Sequence, residues 1–357
     1  MKTKTDINNI IETVQSRFTN TIELDKVAIE ADYNDDYSNQ SSIAIKILSV
    51  IGGFMATLAF LGFLLLSRLH NSEIGLLTLG IIFIVISILL NRKSDKLITD
   101  TFSISTYVVG IFLIVFAFGE MDFDENFVAI IIMLIALVSL YLTQNYILSF
   151  ISVLVITSSL LALLVFLNNT YNLIHVYNTI IVLSMTYMFL FEARIISISK
   201  KLSKLYNPLR IGLIISYLFG LGILRTRKLL DLEINYVWFY SIVLFGILLY
   251  VISKILKIMK VDNKSSILIY ILSALILGIT VFSPSILGAI LLILLGFYVN
   301  HKFSLVIGII ALIYFVSQYY YDLNYTLLTK SIMLIISGVL FIIFYLFTTK
   351  SIENEKV

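Results

Sequence analysis

The 357-residue chain has no cysteine. Disulfides, thiolate metal sites, iron–sulfur clusters and thiol nucleophiles are thereby excluded. Proline is nearly absent, with only Pro208 and Pro284, and the three histidines (His70, His175 and His301) show no metal-ligand spacing. Charge is scarce as well. Asp, Glu, Lys and Arg make up 13% of the residues, against about a quarter in soluble globular proteins. None of these charges falls in the middle of a long apolar run, so the intramembrane charge that usually marks a pump or ion-coupled carrier is missing.

Apolar residues fill the space, at 59% of the chain. They form twelve blocks. The first six run from Ile43 to Leu66, Ile74 to Leu90, Thr101 to Gly119, Phe127 to Leu142, Tyr146 to Leu167 and Leu173 to Phe191. The second six run from Leu209 to Leu224, Val237 to Ser253, Ser266 to Phe282, Ser285 to Val299, Phe303 to Tyr320 and Leu327 to Phe347. About 20 residues at 1.5 Å rise cross the hydrocarbon core, and the shorter blocks must borrow flanking residues or thin the bilayer. Strand alternation is absent, and only helices or closed barrels satisfy their backbone in lipid. The expected fold is all-α, a polytopic membrane protein of about 12 transmembrane helices. The ninth and tenth blocks are joined only by Ser283-Pro284-Ser285 and could form a re-entrant hairpin, which leaves ten spans with the same orientation. Each proline sits at the start of a block, where a missing N–H does no harm.

Basic residues set the orientation. With the N-terminus inside, cytoplasmic segments hold 20 of the 25 Lys and Arg residues and the opposite side holds 5. Both termini are then cytoplasmic. Arg225, Arg227 and Lys228 are the exception, near Asp231 and Glu233. Residues 1–42 carry eight acids and no hydrophobic run, so no cleavable signal peptide is expected. Ile7, Ile10, Ile11, Val14 and Phe18 recur at helical spacing, which predicts a short amphipathic helix followed by a tether over 32–42. A transmembrane domain over 43–347 and a cytoplasmic tail over 348–357 complete the organisation.

Several polar groups stand out, each with a structural reading beside a functional one. The loop from Glu120 to Asn126 imitates the start of a calcium loop, but Phe127 replaces the turn glycine and Met133 the bidentate Glu, so a solvated acidic loop fits better. Glu192, Arg194, Lys200, Lys201 and Lys204 follow the sixth block, and Lys254, Lys257 and Lys260 end the eighth. They would anchor on anionic lipid headgroups at about 1 kcal/mol each, or dock a partner. Mid-block hydroxyls at Thr157, Ser158, Ser159, Ser184, Thr186 and Tyr187 would bond within or between helices, or line a polar path. Gly212, Ser216 and Gly220 are spaced by four, a ridge for close helix contact.

The most unusual stretch is YYYDLNYTLLTKS, from Tyr319 to Ser331. Tyr319, Tyr320 and Tyr321 fit an interfacial aromatic belt at the outer end of the eleventh block. Thr326 can cap the last span, placing Lys330 one turn inside, where a cation opposes the helix dipole. An Asp322–Lys330 pair would relieve this; a snorkelling Lys330 is the alternative. No catalytic, cofactor or metal residues are expected.

This stretch also carries a resemblance. Ser283-Pro284-Ser285-x-x-Gly288, Gly296, the YYYDL run, Thr326-Leu327-Leu328-x-Lys330-Ser331 and Gly338 resemble the domain-of-unknown-function 4401 family of bacterial multi-pass membrane proteins. The resemblance implies a bacterial inner-membrane protein whose relatives occur beside, or fused to, a second multi-span family (domain of unknown function 2157) and a membrane-anchored protein named for a GDYXXLXY motif. It brings no catalytic residues to carry over.

Three functions are open at this point. One is a non-enzymatic component working with other multi-pass membrane proteins. Another is a carrier or flippase for an apolar or amphipathic molecule. The third is a membrane enzyme of envelope synthesis, disfavoured because such chemistry needs acids, His or Arg gathered at one face. The expected partners are the bilayer and other membrane proteins, with no nucleic acid.

Overall fold

The computed structural model describes residues 72–322 apart from 94–96, 144, 168–170, 227–233, 235, 260–261 and 281–282, with isolated helical positions over 52–63 and 328–342. Among the described residues the secondary structure is helical, without strands. The order is α1 (Glu73–Lys93), α2 (Leu97–Glu120), α3 (Glu125–Leu142), α4 (Tyr146–Phe166), α5 (Ile174–Leu190), α6 (Glu192–Ile198), α7 (Lys200–Thr226), α8 (Val237–Ile258), α9 (Asn263–Thr280), α10 (Pro284–Tyr298) and α11 (Lys302–Asp322). Apart from those isolated positions, the first and last apolar blocks lie outside the described residues, as do the amphipathic segment, the tether and the two chain ends.

Seven of these helices are long and apolar enough to cross a membrane, and eight if α5 and α6 count as one bent span. The protein is a helical membrane protein. Among the described residues the expected count of about twelve full spans is not reached. The sixth block is not one straight rod: α5 and α6 meet at 81° about Phe191, just where Glu192 and Arg194 bring charge into the sequence. The tenth block forms only the 15 residues of α10. Pro208 also departs from expectation, because α7 starts at Lys200 and runs through it. Proline inside a helix removes one backbone hydrogen bond; here this happens in the polar first turns, where Lys204 and Asn207 are exposed. Pro284, by contrast, opens α10 at its first turn as expected.

Two compact units divide the described chain, one holding residues 79–110 and the other residues 73–78 and 111 onward. In the first, α1 and α2 meet through Ser87 and Ser103, whose hydroxyls each donate to the other's carbonyl at 2.7 Å. Two buried hydroxyls are thus satisfied without water. Gly110 follows two turns on, where an added Cβ would lie 2.9 Å from the Gly80 carbonyl oxygen and 2.7 Å from Ile84.

In the second unit the core is shared by α5, α7, α8, α10 and α11, with Tyr177, Tyr217, Tyr240, Leu244 and Leu292 fully buried. Small residues set the helix spacing, as expected for the Gly212–Ser216–Gly220 ridge. A Cβ on Gly212 would meet Val153 of α4 at 2.6 Å, and one on Gly220 would run into the Asn178 amide oxygen of α5. Between them Ser216 bonds Thr157 of α4 at 2.7 Å. Of the mid-block hydroxyls, Thr157, Ser159 and Thr186 are buried, whereas Ser158, Ser184 and Tyr187 are exposed. The hairpin of α10 and α11 is equally tight. A Cβ on Gly296 would lie 2.8 Å from the Leu305 nitrogen. Its turn closes with Asn300 in the left-handed region (φ 54°) and the His301 N–H bonded to the Gly296 carbonyl at 2.8 Å, the Schellman arrangement that satisfies a helix C-terminus.

Candidate functional site

Three regions combine polar or charged groups with defined geometry. The first gathers around Arg210, near the start of α7. Its guanidinium Nη1 donates to Glu192 Oε1 at 3.2 Å and its Nη2 to Asn207 Oδ1 at 2.8 Å. Only 7% of the Arg210 side chain is exposed, against 28% for Glu192. Rings of Tyr206 (4.9 Å) and Phe189 (5.7 Å) flank the cation, and the Tyr206 hydroxyl donates to the Met188 carbonyl at 2.9 Å. Thus the bend after α5 is held to α7 by one ion pair, the Phe189 face against the Arg210 cation and the Tyr206 hydrogen bond to Met188. His301, from the α10–α11 turn, stands edge-on to Phe189 at 6.3 Å, and its Nδ1 meets the Ser304 hydroxyl at 2.5 Å. Burial, and then the nearby Arg210 charge, hold its imidazole below the ordinary value of 6.5. Around this knot Arg194, Lys200 and Lys204 are exposed, while the Lys201 ammonium sits 3.5 Å over the Tyr141 ring. Along the sequence Arg210 is one basic residue among the 20 counted to the cytoplasmic side. Its signal is position: Glu192 and Arg210 flank the segment between the sixth and seventh blocks and so emerge at the same membrane face.

The opposite end brings together other loops. Arg225, at the end of α7, lies 5.9 Å from the Tyr319 ring at the end of α11, and the Ser285 hydroxyl donates to the Leu221 carbonyl at 3.3 Å. Tyr320 and Tyr321 meet edge to face at 6.0 Å, with Tyr321 73% exposed. The three tyrosines therefore occupy one helix end, and Arg225, the exception to the basic-residue count, has an aromatic neighbour there. Asp322 is the last residue of α11. Its side chain, and Thr326, Lys330 and Ser331, lie outside the described residues, and with them the Asp322–Lys330 pair.

The third region is a groove of about 510 Å³ between α2, α3 and α4. Its walls are apolar except for Ser158 and Ser159 on α4 and Glu125 at the start of α3. Nothing within 4 Å would meet a Cβ on Gly119 at its mouth. Asp124 caps α3, accepting from the Asn126 N–H at 2.7 Å, and Asp122 takes a left-handed conformation (φ 54°). The loop is thus a built turn that sets Glu125 at the groove. Among the described residues no three His, Cys, Asp or Glu side chains group as metal ligands. His175 is buried at the start of α5, apart from His301 on its turn, and His70 lies outside the described residues.

A family model described as Domain of unknown function (DUF4401) matches residues 43–351. The chain belongs to that family. The match covers most of this DUF4401 protein, including both apolar blocks outside the described residues and the whole Tyr319–Ser331 stretch. No curated protein matches it significantly.

Proposed function

We propose that this DUF4401 protein is a non-enzymatic component of a bacterial inner membrane, working with other multi-pass membrane proteins through its cytoplasmic face. The observation that carries this reading is the platform around Arg210. A buried arginine paired with Glu192 ties the bend between α5 and α6 to α7, and exposed Arg194, Lys200 and Lys204 lie on the same stretch of chain. A pre-ordered cationic surface loses little entropy on docking, and it also attracts anionic lipid headgroups. The 20-to-5 distribution of basic residues favours placing this end, and both termini, in the cytoplasm. Blocks 43–66 and 327–347 would bring the total toward 12 spans, or ten if α9 and α10 turn back together.

The test is crosslinking in native membranes followed by mass spectrometry, with the wild type compared to the K200E/K204E double variant. A stoichiometric membrane-protein partner lost on charge reversal is the expected result. Recovery of the protein with retained lipid and no protein partner would reject it.

A carrier or flippase for amphipathic molecules is the second reading, favoured by the groove of α2–α4. It needs a measurable flux of labelled lipid or detergent-like probe across reconstituted vesicles, and absence of flux above empty vesicles would remove it.

A further inference from the structure

The groove between α2, α3 and α4 has a depth, a polarity and a charge that together describe one kind of occupant. Along α2 its lining runs from Ile111 to Gly119 and along α3 from Glu125 to Ile132, which at 1.5 Å per residue is about 10–12 Å on each helix. That is close to a single leaflet, half of a hydrocarbon core about 30 Å thick. Its volume, about 510 Å³, falls within the usual range for small-molecule sites. The long axis ends at the α2–α3 loop, where Glu120, Asp122, Asp124 and Glu125 are all exposed. No Lys or Arg occurs anywhere between Lys96 and Arg194, so the chain that builds the groove supplies no neighbouring base in sequence. Charge on the chain that builds the groove and its mouth is therefore of one sign, with Glu125 itself part of the lining.

We infer that this groove binds a single-leaflet amphiphile with one alkyl or acyl chain and a cationic ammonium head, the chain lying along α2–α4 and the head on the Glu125 carboxylate. Apolar walls remove the chain from competition with bulk lipid only by packing, because lipid tails are as apolar as leucine. Selectivity must come from the head. The acids at the mouth favour a cation and repel anionic lipid, and the loop capped by Asp124 holds Glu125 at the groove before the ligand arrives. Small side chains at Gly119, Ala129, Ser158 and Ala162 leave the space that larger residues would fill. This inference deepens the carrier reading by naming its ligand class; it rests on that reading for transport but not for binding.

The experiment uses the full chain in lipid nanodiscs with an alkyltrimethylammonium probe carrying a diazirine in its chain, photolysed and mapped by mass spectrometry. A probe of the same chain with a sulfonate head is the control. Labelling should concentrate on peptides of α2, α3 and α4, and the ammonium probe should label them several-fold more than the sulfonate probe. Glu125→Lys should lower ammonium labelling there by about tenfold, the scale of 1.4 kcal/mol, reasonable for reversing an exposed charge beside the bound cation. Ser158→Trp, an exposed position on the wall, should abolish groove labelling for both probes, with thermal unfolding confirming that each variant folds. Label spread evenly over the lipid-facing surfaces of α8 and α11 would overturn the site, and equal labelling by both heads, or indifference to Glu125→Lys, would overturn the cation preference. Groove labelling without flux in the vesicle assay would reject the carrier reading and leave the binding site standing.

Discussion

Gly220 and Gly222 lie two residues apart on α7 and should respond oppositely to the same substitution. On Gly220 a Cβ would collide with the Asn178 amide oxygen and lie 3.1 Å from both Asn178 Cγ and Tyr177 Cε1. Asn178 cannot simply swing away, since its side chain is fully buried and its Nδ2 donates to the Ile174 carbonyl at 3.0 Å. The added methyl must therefore push α5 from α7, and overpacking of this kind costs about 1–3 kcal/mol. On Gly222 a Cβ would meet nothing within 4 Å, so alanine there should stabilise by about 0.5–1 kcal/mol through helix propensity alone. The assay is reversible unfolding in mixed micelles, comparing G220A, G222A and G220A/N178A. Removing the Asn178 amide makes room for the methyl and takes away a buried oxygen that has no hydrogen-bond partner. The double variant should regain at least half of the G220A loss. Equal behaviour of G220A and G222A, or no rescue by N178A, would refute the close approach of α5 and α7.

Three other outcomes are expected. Glu192→Gln should destabilise the protein by roughly 1–3 kcal/mol because it leaves the buried Arg210 poorly compensated, less than for a fully buried pair because Glu192 is 28% exposed; E192Q/R210M should recover much of that in the same unfolding assay. A double-mutant cycle on Thr157 and Ser216, which bond at 2.7 Å, should give a coupling of about 0.6 kcal/mol, the usual scale for interhelical hydrogen bonds in membranes. His301 binds its proton less readily in the folded protein than at its ordinary value of 6.5, so the unfolded chain takes up more protons on acidification and stability should fall as pH drops below about 6.5 toward the lowered folded value. His301→Gln should flatten that part of the pH–stability curve, and an unchanged curve would remove the titration argument.

Much of the framework was legible along the chain. Each of the ten apolar blocks between Ile74 and Tyr320 coincides with helix in the structure, within a few residues at most ends. This works because a helix closes its own backbone hydrogen bonds, so hydropathy and length are enough to find it. Departures came where a local rule met a second demand. Pro208 marks a boundary by local rule, yet α7 continues on its polar side to Lys200, where exposed lysines suit the interface. Hydropathy makes the sixth block one span, yet the chain bends by 81° about Phe191 and Glu192 meets Arg210.

What only the packed chain decides is which helices are neighbours. Hydropathy separates water from everything else, but lipid and protein interior are almost equally apolar, so a leucine facing one reads the same as a leucine facing the other. The absence of mid-block charge, the basic asymmetry and the Gly212–Ser216–Gly220 ridge are therefore properties of the sequence. The Arg210–Glu192 knot and the groove under Glu125 are not: both arise from the spacing between helices, which the small side chains set.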